Sequence, residues 1–349
     1  MYTREIQAPR DSPFENGTPL AGTWNKAFNR VNLLDVHRPY RWPIPRWLKA
    51  YRVKEWEGFS VQDERFLLEA LLGNFKFSRI AQVFLYNKEN GEKYIFRKIL
   101  PGGGWRLPRS LARDTVECRW PGFFFRVHTW LNAASVKLDF DIAATKKLPA
   151  LTAHLSFVME SRNVTPAVVS LKFNESRNMY AYKAVAAVRG DIVLGEDHFS
   201  LNPAQCTGLF RDYKGFFPYR MRGIYCGGLG FDTEGKRYGF HIAENQAKET
   251  RRNNENALWI DGRFTPLPPV RITMSDGPES DWVIQDLEGM VDLVYTPKES
   301  YRVNPNYFVA RTDFYASIGH YNGILINENE ERIHLKNHWG SGEKLYLRV

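Results

Sequence analysis

The stretch "AQVFLYNKENGEKYIFRKI", residues 81–99, decides the fold. Runs of strand-forming residues lie on both sides of Asn90-Gly91, and Asn-Gly between two such runs is the strongest short-range signal for a β-hairpin. A helix would instead need apolar residues recurring at intervals of three and four. The same period of two continues outward: "VKLDFDI" (136–142) alternates throughout and "LTAHLSF" (151–157) nearly does. Further β-rich runs occupy 123–130, 167–173, 180–188, 191–195, 237–243, 282–286, 291–297, 323–328 and 344–349, with Gly, Asn, Asp and Pro between them. This is the spacing of an all-β sandwich or barrel. One segment stands apart: "SVQDERFLLEALLGN" (60–74) is rich in helix formers, with Ser60 and Asp63 at capping-box spacing, and propensity alone predicts a helix there.

The chain has 349 residues, 43% of them hydrophobic and 14% aromatic, which excludes a disordered protein and leaves room for two sizeable cores. Strand alternation pauses at "NPAQCTGLFRDYKG" (202–215), so two β units are expected, 1–205 and 206–349. No apolar run reaches signal-peptide or membrane-span length, and the expected location is the cytoplasm without integral membrane association. Cys118, Cys206 and Cys226 form no CxxC pair and are expected reduced and buried. The Asn-x-Ser/Thr triplets at Asn16, Asn163 and Asn174 then read as chance matches.

The net charge of +9 raises nucleic acid as a partner, but 48 basic residues are interspersed with 39 acidic ones. The only concentrated basic stretch, "HRPYRWPIPRWLKAYRVKEW" (37–56), reads as a solvated arm packing its aromatics on the domain, and no nucleic-acid partner is expected. There is no GxSxG, P-loop, GxGxxG behind a strand, HExxH or metal-spaced cysteine pair. "PGGGW" (101–105) is a turn, and His334 and His338, four apart with no neighbouring carboxylate, predict no metal centre.

"RDYKGFFPYRMRG" (211–223) carries more chemistry. An Asp212 buried among Phe210, Tyr213, Phe216 and Phe217 would have its pKa raised and become a proton donor; in a surface turn it would pair with Arg211, Lys214 or Arg220. "ETRRNNENALWIDGR" (249–263) either lowers Glu255 and Asn256 into the same cleft or forms a hairpin turning at Asp261-Gly262.

Read in order, "RVKEWEGFSVQDERFLLEALLG", "AQVFLYN", "DYKGFFPYR", "GFHIAENQAKETRRNNENALWIDGR", "WVIQDLEGMVDLVYTP" and "DFYASIGHYNGIL" resemble the family known as domain of unknown function 2804, over about residues 15 to 340. That family is similar to carotenoid 1,2-hydratases and lipocalin-like pericyclases. The resemblance implies two consecutive lipocalin-like β-barrels, and therefore strand rather than helix at 60–74. It also implies a proton-donating acid at Asp212, followed by Tyr213, and a family "ENA…DG" pattern on Glu255, Asn256, Ala257, Asp261 and Gly262. Two departures stand out. The family's Trp-x-Arg-Gly after the acid is Tyr213-Lys214-Gly215 here, one residue shorter, and its C-terminal Glu-Glu-His-His-x-x-Trp leaves only His334, His338 and Trp339 as counterparts.

The expected function is a cofactor-independent enzyme, of hydratase, isomerase or cyclase type, on an apolar or cyclic small molecule. Asp212, Tyr213 and Glu255 are its candidate catalytic residues. Tyr219, Arg220, Arg222, Tyr225, His241, Asn256, His320 and Trp339 are the candidates for substrate binding, with the arginines on a carbonyl or carboxylate. Two readings compete. One is a lipid or metabolite carrier, in which Asp212 is a turn residue; the other is a carbohydrate-active protein with Asp212 and Glu255 facing one cleft.

Overall fold

The computed structural model describes residues 1–103, 107–160, 164–304, 306 and 311–348; the Gly104-Trp105 end of the 101–105 run and Asn163 of the second triplet lie outside them. The hairpin that decided the fold is present. Ser78–Asn87 pairs with Lys93–Pro101 in antiparallel register, Ala81 opposite Lys98, and Gly91 turns the connecting loop with φ +74°. The segment with helical propensity is strand, as the family resemblance implied: Lys54–Gln62 and Phe66–Asn74 form a second hairpin. Tertiary context overrides propensity here. Leu68, Ala70 and Leu72 fill the interior on one face while Leu67 and Glu69 point the other way, a division only a strand can make.

The fold is all-β, built of two curled antiparallel sheets. Among the described residues the first has thirteen strands, with Lys54–Gln62, Thr207–Gly215 and Asn178–Leu194 adjacent at its centre; the second has nine, with Arg237–Asn245, Arg220–Phe231 and Arg332–Arg348 adjacent. The chain changes sheet between Gly215 and Arg220, one strand later than the expected boundary at 205/206, because Thr207–Gly215 completes the first sheet by pairing on both sides.

Each sheet wraps its own apolar core: Phe59, Phe125, Phe140 and Phe157 among others in the first, Phe240, Trp282, Tyr295 and Tyr321 in the second. Their outer faces meet in a third layer, where Val185 and Leu209 pack on Leu229 and Trp259, and Phe84 and Tyr86 on Ile318 and Trp339. Glycine lets the second sheet coil tightly. A Cβ on Gly340 would stand 2.4 Å from the Gly227 carbonyl oxygen and 2.6 Å from the Tyr321 ring. Gly340→Ala is therefore expected to lower stability by about 1–3 kcal/mol, read as a fall in Tm, whereas Gly227→Ala, whose Cβ would make only ordinary contacts, 3.4 Å to the Phe240 carbonyl oxygen and 3.9 Å to Ser341 Oγ, controls for general handling of the chain.

The three cysteines are free and buried. The 37–56 arm departs from expectation. Tyr40 packs on Phe216 and Trp56 stacks on Tyr213, but Trp42 and Trp47, before and on the short Arg46–Arg52 helix, stand 69% and 72% exposed. Among the described residues, no helix is long and apolar enough to cross a membrane.

Candidate functional site

The Thr207–Gly215 strand is the wall between the first core and the junction of the sheets, and its alternation decides what each side holds. Phe210, Asp212 and Phe216 face the first core; Leu209, Arg211 and Tyr213 face the junction. Asp212 and Tyr213, adjacent in sequence, therefore belong to different clusters.

On the inner side, Asp212 is fully buried and lies opposite Glu57 on the neighbouring strand, with the Phe59–Phe210 stack beside them. Lys214 Nζ donates to Asp212 Oδ2 at 2.8 Å, while Asp212 Oδ1 and both oxygens of the equally buried Glu57 find no hydrogen-bond partner. Burial pushes both carboxyls up, Glu57 further because Asp212 repels it, and Lys214 pulls both back. The pair can hold one proton between them in an apolar interior. Sequence reasoning overlooked Glu57 and the pairing of Asp212 with Lys214 inside the core.

At the junction, three buried groups and the half-buried Asn245 converge on one buried carboxylate. Glu255 Oε2 accepts from Lys183 Nζ at 2.6 Å and from the Tyr213 hydroxyl at 2.7 Å, and Oε1 accepts from Asn245 at 2.6 Å. His241 Nε2 stands 3.2 Å from the Tyr213 oxygen and 3.4 Å from Glu255 Oε2. Burial alone would push Glu255 up, but Lys183 and His241 outweigh it and hold the carboxyl well below its usual range. Burial lowers Lys183 to about 8, against the pull of Glu255, and lowers His241 to about 4. The cluster thus holds an ionised Lys183–Glu255 pair, a neutral tyrosine and, at neutral pH, a neutral imidazole. Because Nε2 faces an acceptor-only carboxylate, it carries the ring proton. Nδ1, buried and without a partner, is left as a free base.

Next to this cluster Arg211 Nη2 donates to Glu69 Oε2 at 2.8 Å and to Ser60 at 3.0 Å, and Ser341 donates to Glu69 Oε1 at 2.9 Å. Glu343, across the strand ladder from Tyr225, is pushed up by burial to about 7, with Arg211 pulling the other way. The N-terminal segment covers one end. Arg4 donates to the Asn254 and Asn256 carbonyl oxygens at 2.8 and 3.1 Å, and Tyr2 to the Arg251 carbonyl oxygen at 2.8 Å.

The remaining candidates divide. Tyr225 lies beside His241, ring centroids 6.2 Å apart. Asn256 is buried here with both ends of its amide occupied, by the Ala243 N–H and the Pro268 carbonyl oxygen. The hairpin turns at Asp261-Gly262 and also buries Glu255 and Asn256, but at the junction rather than in a cleft shared with Asp212. His320 stacks edge-on against Trp339 at 4.0 Å, next to Tyr86, in a separate apolar patch. His338 bonds Tyr238 and the Leu229 carbonyl oxygen, His334 is exposed, and among the described residues no group of three metal-ligating side chains gathers. Tyr219, Arg220 and Arg222 lie on the exposed end of the second sheet, away from the buried cluster. Arg222 lines a cavity of about 500 Å³ there. The carboxylate pair named for glycoside processing is separated: Asp212 and Glu255 stand on opposite faces of the 207–215 wall, so these two do not flank one glycosidic bond.

Over residues 3–348 the sequence matches the family described as Domain of unknown function (DUF2804). The chain belongs to this family. No curated protein matches the sequence. Among solved structures, this DUF2804 member is similar to CghA, with 12% identity, a TM-score of 0.59, and 98% of this chain and 97% of that one covered. It is also similar to CghA solved with Sch210972, with 12% identity, a TM-score of 0.56, and 84% and 88% covered. Kievitone hydratase from Nectria haematococca is matched at 11% identity over 85% and 89% of the chains, but its TM-score of 0.48 carries no argument. At such identities the DUF2804 chain shares the CghA fold of two curled sheets, and the likeness extends no further.

Proposed function

We propose that the protein is an enzyme of the hydratase, isomerase or cyclase kind, moving a proton on or off an apolar or cyclic small molecule at the junction of the sheets. One observation carries this reading: a neutral histidine with a free, buried Nδ1, fixed by Tyr213 and an ionised Glu255–Lys183 pair. His241 Nδ1 takes the proton from substrate, and Nε2 is held toward Tyr213 and Glu255, whose negative charge steadies the imidazolium as it forms. Tyr213, already donating to Glu255, keeps that carboxylate from capturing the proton permanently. That CghA, of the same fold, was solved with Sch210972 supports a ligand-binding role for the architecture. Asp212 becomes a charge partner of Lys214 inside the core rather than the acid of the reaction.

The test is incubation of the full chain with a library of apolar cyclic and polyunsaturated compounds, followed by mass spectrometry. A hydratase adds or removes one water, and an isomerase or cyclase yields a new compound of unchanged mass. His241→Gln is expected to lower turnover by roughly 10²–10⁴-fold, and Tyr213→Phe by a smaller factor with a displaced pH profile. A compound retained unchanged by wild type and variants alike would establish the carrier reading instead, which the ligand-sized cavity of the second sheet favours.

A further inference from the structure

The open end of the second sheet carries a charge arrangement that the junction cluster does not use. On the face turned into the curl, strand register sets Arg220 and Arg311 on either side of Arg348. The next row inward is Arg222, Tyr346 and Asp313, and the one after it Ile224, Lys344 and Tyr315. Like charges directly opposite across a ladder repel, and this row gives the rim a cationic character. The guanidinium carbons of Arg222 and Arg311 each stand 5.7 Å from the Tyr346 ring centroid, holding both side chains over the mouth.

The two acids of the cavity are already occupied. Asp313 takes both arms of Arg302 at 2.8 Å, and Glu244 accepts from Arg271 at 3.1 Å and from the Ile272 N–H at 2.7 Å. Among the described residues, neither Arg222 nor Lys344 has a carboxylate within ion-pair distance. Both line the cavity of about 500 Å³, whose inner wall is apolar at Ile224 and Tyr315. That volume falls within the range of small-molecule sites.

We infer that this mouth is a binding site for an amphiphilic anion, a single carboxylate on an apolar body. Arg222 and Lys344 take the carboxylate, and the body enters the curl past Ile224 and Tyr315. A cationic rim over an apolar cup selects this class because a neutral lipid would leave the rim unsatisfied and a free inorganic anion would leave the cup unfilled. The inference takes nothing from the roles of Tyr213 and His241.

The test is displacement of 1-anilinonaphthalene-8-sulfonate fluorescence from the full chain by decanoate, by decanol and by inorganic phosphate. Decanoate is expected to bind at least ten times more tightly than decanol, with affinity falling as salt rises. Arg222→Gln and Lys344→Gln, both exposed, should each weaken decanoate roughly ten-fold while leaving decanol affinity and Tm unchanged. Equal binding of decanoate and decanol, or no response to either substitution, overturns the site. Phosphate binding as tightly as decanoate overturns the amphiphile and leaves only an anion rim.

Discussion

Lys183→Met should be the most damaging single substitution in the junction, lowering stability at pH 7 by about 3–5 kcal/mol. The Lys183 ammonium and the Glu255 carboxylate are both fully buried and 2.6 Å apart. Removing the lysine leaves an ionised carboxylate with neutral donors alone, Tyr213, Asn245 and His241 Nε2, in surroundings where an uncompensated charge is costly. The sign with pH follows. Stripped of its partner, Glu255 has a folded-state pKa above its unfolded value, so the penalty grows as pH rises above about 4.3, the unfolded glutamate value. Urea unfolding midpoints at pH 4 and pH 7 would show the larger deficit at the higher pH. The double variant Lys183→Met, Glu255→Leu removes both charges and is expected to recover most of the loss. If it recovers nothing, the damage is to packing, and the ion-pair account fails.

The second large effect concerns Glu57. Its folded-state pKa is raised, first by burial and then by Asp212, so the native chain keeps a proton that the unfolded chain releases. Native stability must then fall as pH rises through the interval between the unfolded and folded values. The slope for one proton approaches about 1.4 kcal/mol per pH unit. Glu57→Gln mimics the protonated carboxyl and leaves the Asp212–Lys214 pair intact, so its stability should fall less steeply over the same interval. The variant is expected to match wild type near pH 4 and to exceed it near pH 8. Parallel stability profiles for the two proteins would show that Glu57 is not the group holding the proton.

Much of this architecture was legible in the sequence, and the failures have physical causes. The period of two and the Asn90-Gly91 turn announce antiparallel strands because both are local. The 60–74 segment misleads because Leu, Glu and Ala favour helices in isolation, while here each face of the segment is buried against a different layer. The same apolar runs conceal the charged residues that matter. Lys183 in "YAYKAVAAV" and Glu69 in "FLLEALLG" are single charges in greasy strands, a signal for buried, partnered ions that could have been read. Grouping Asp212 with Tyr213 ignored a rule already in use, that neighbours in a strand face opposite ways. The row Arg220, Arg348, Arg311 was beyond reach. It joins residues far apart in the chain, and only strand register brings them abreast.

The 207–215 wall also sets a rule for how this protein can change over generations. Because Asp212 and Lys214 face one side and Arg211 and Tyr213 the other, losing or gaining a single residue within the strand would exchange the two sets. It would drive an unmatched carboxylate into the junction and a phenol into the barrel. Descendants that stay folded must therefore alter the length of this strand two residues at a time, or beyond its ends.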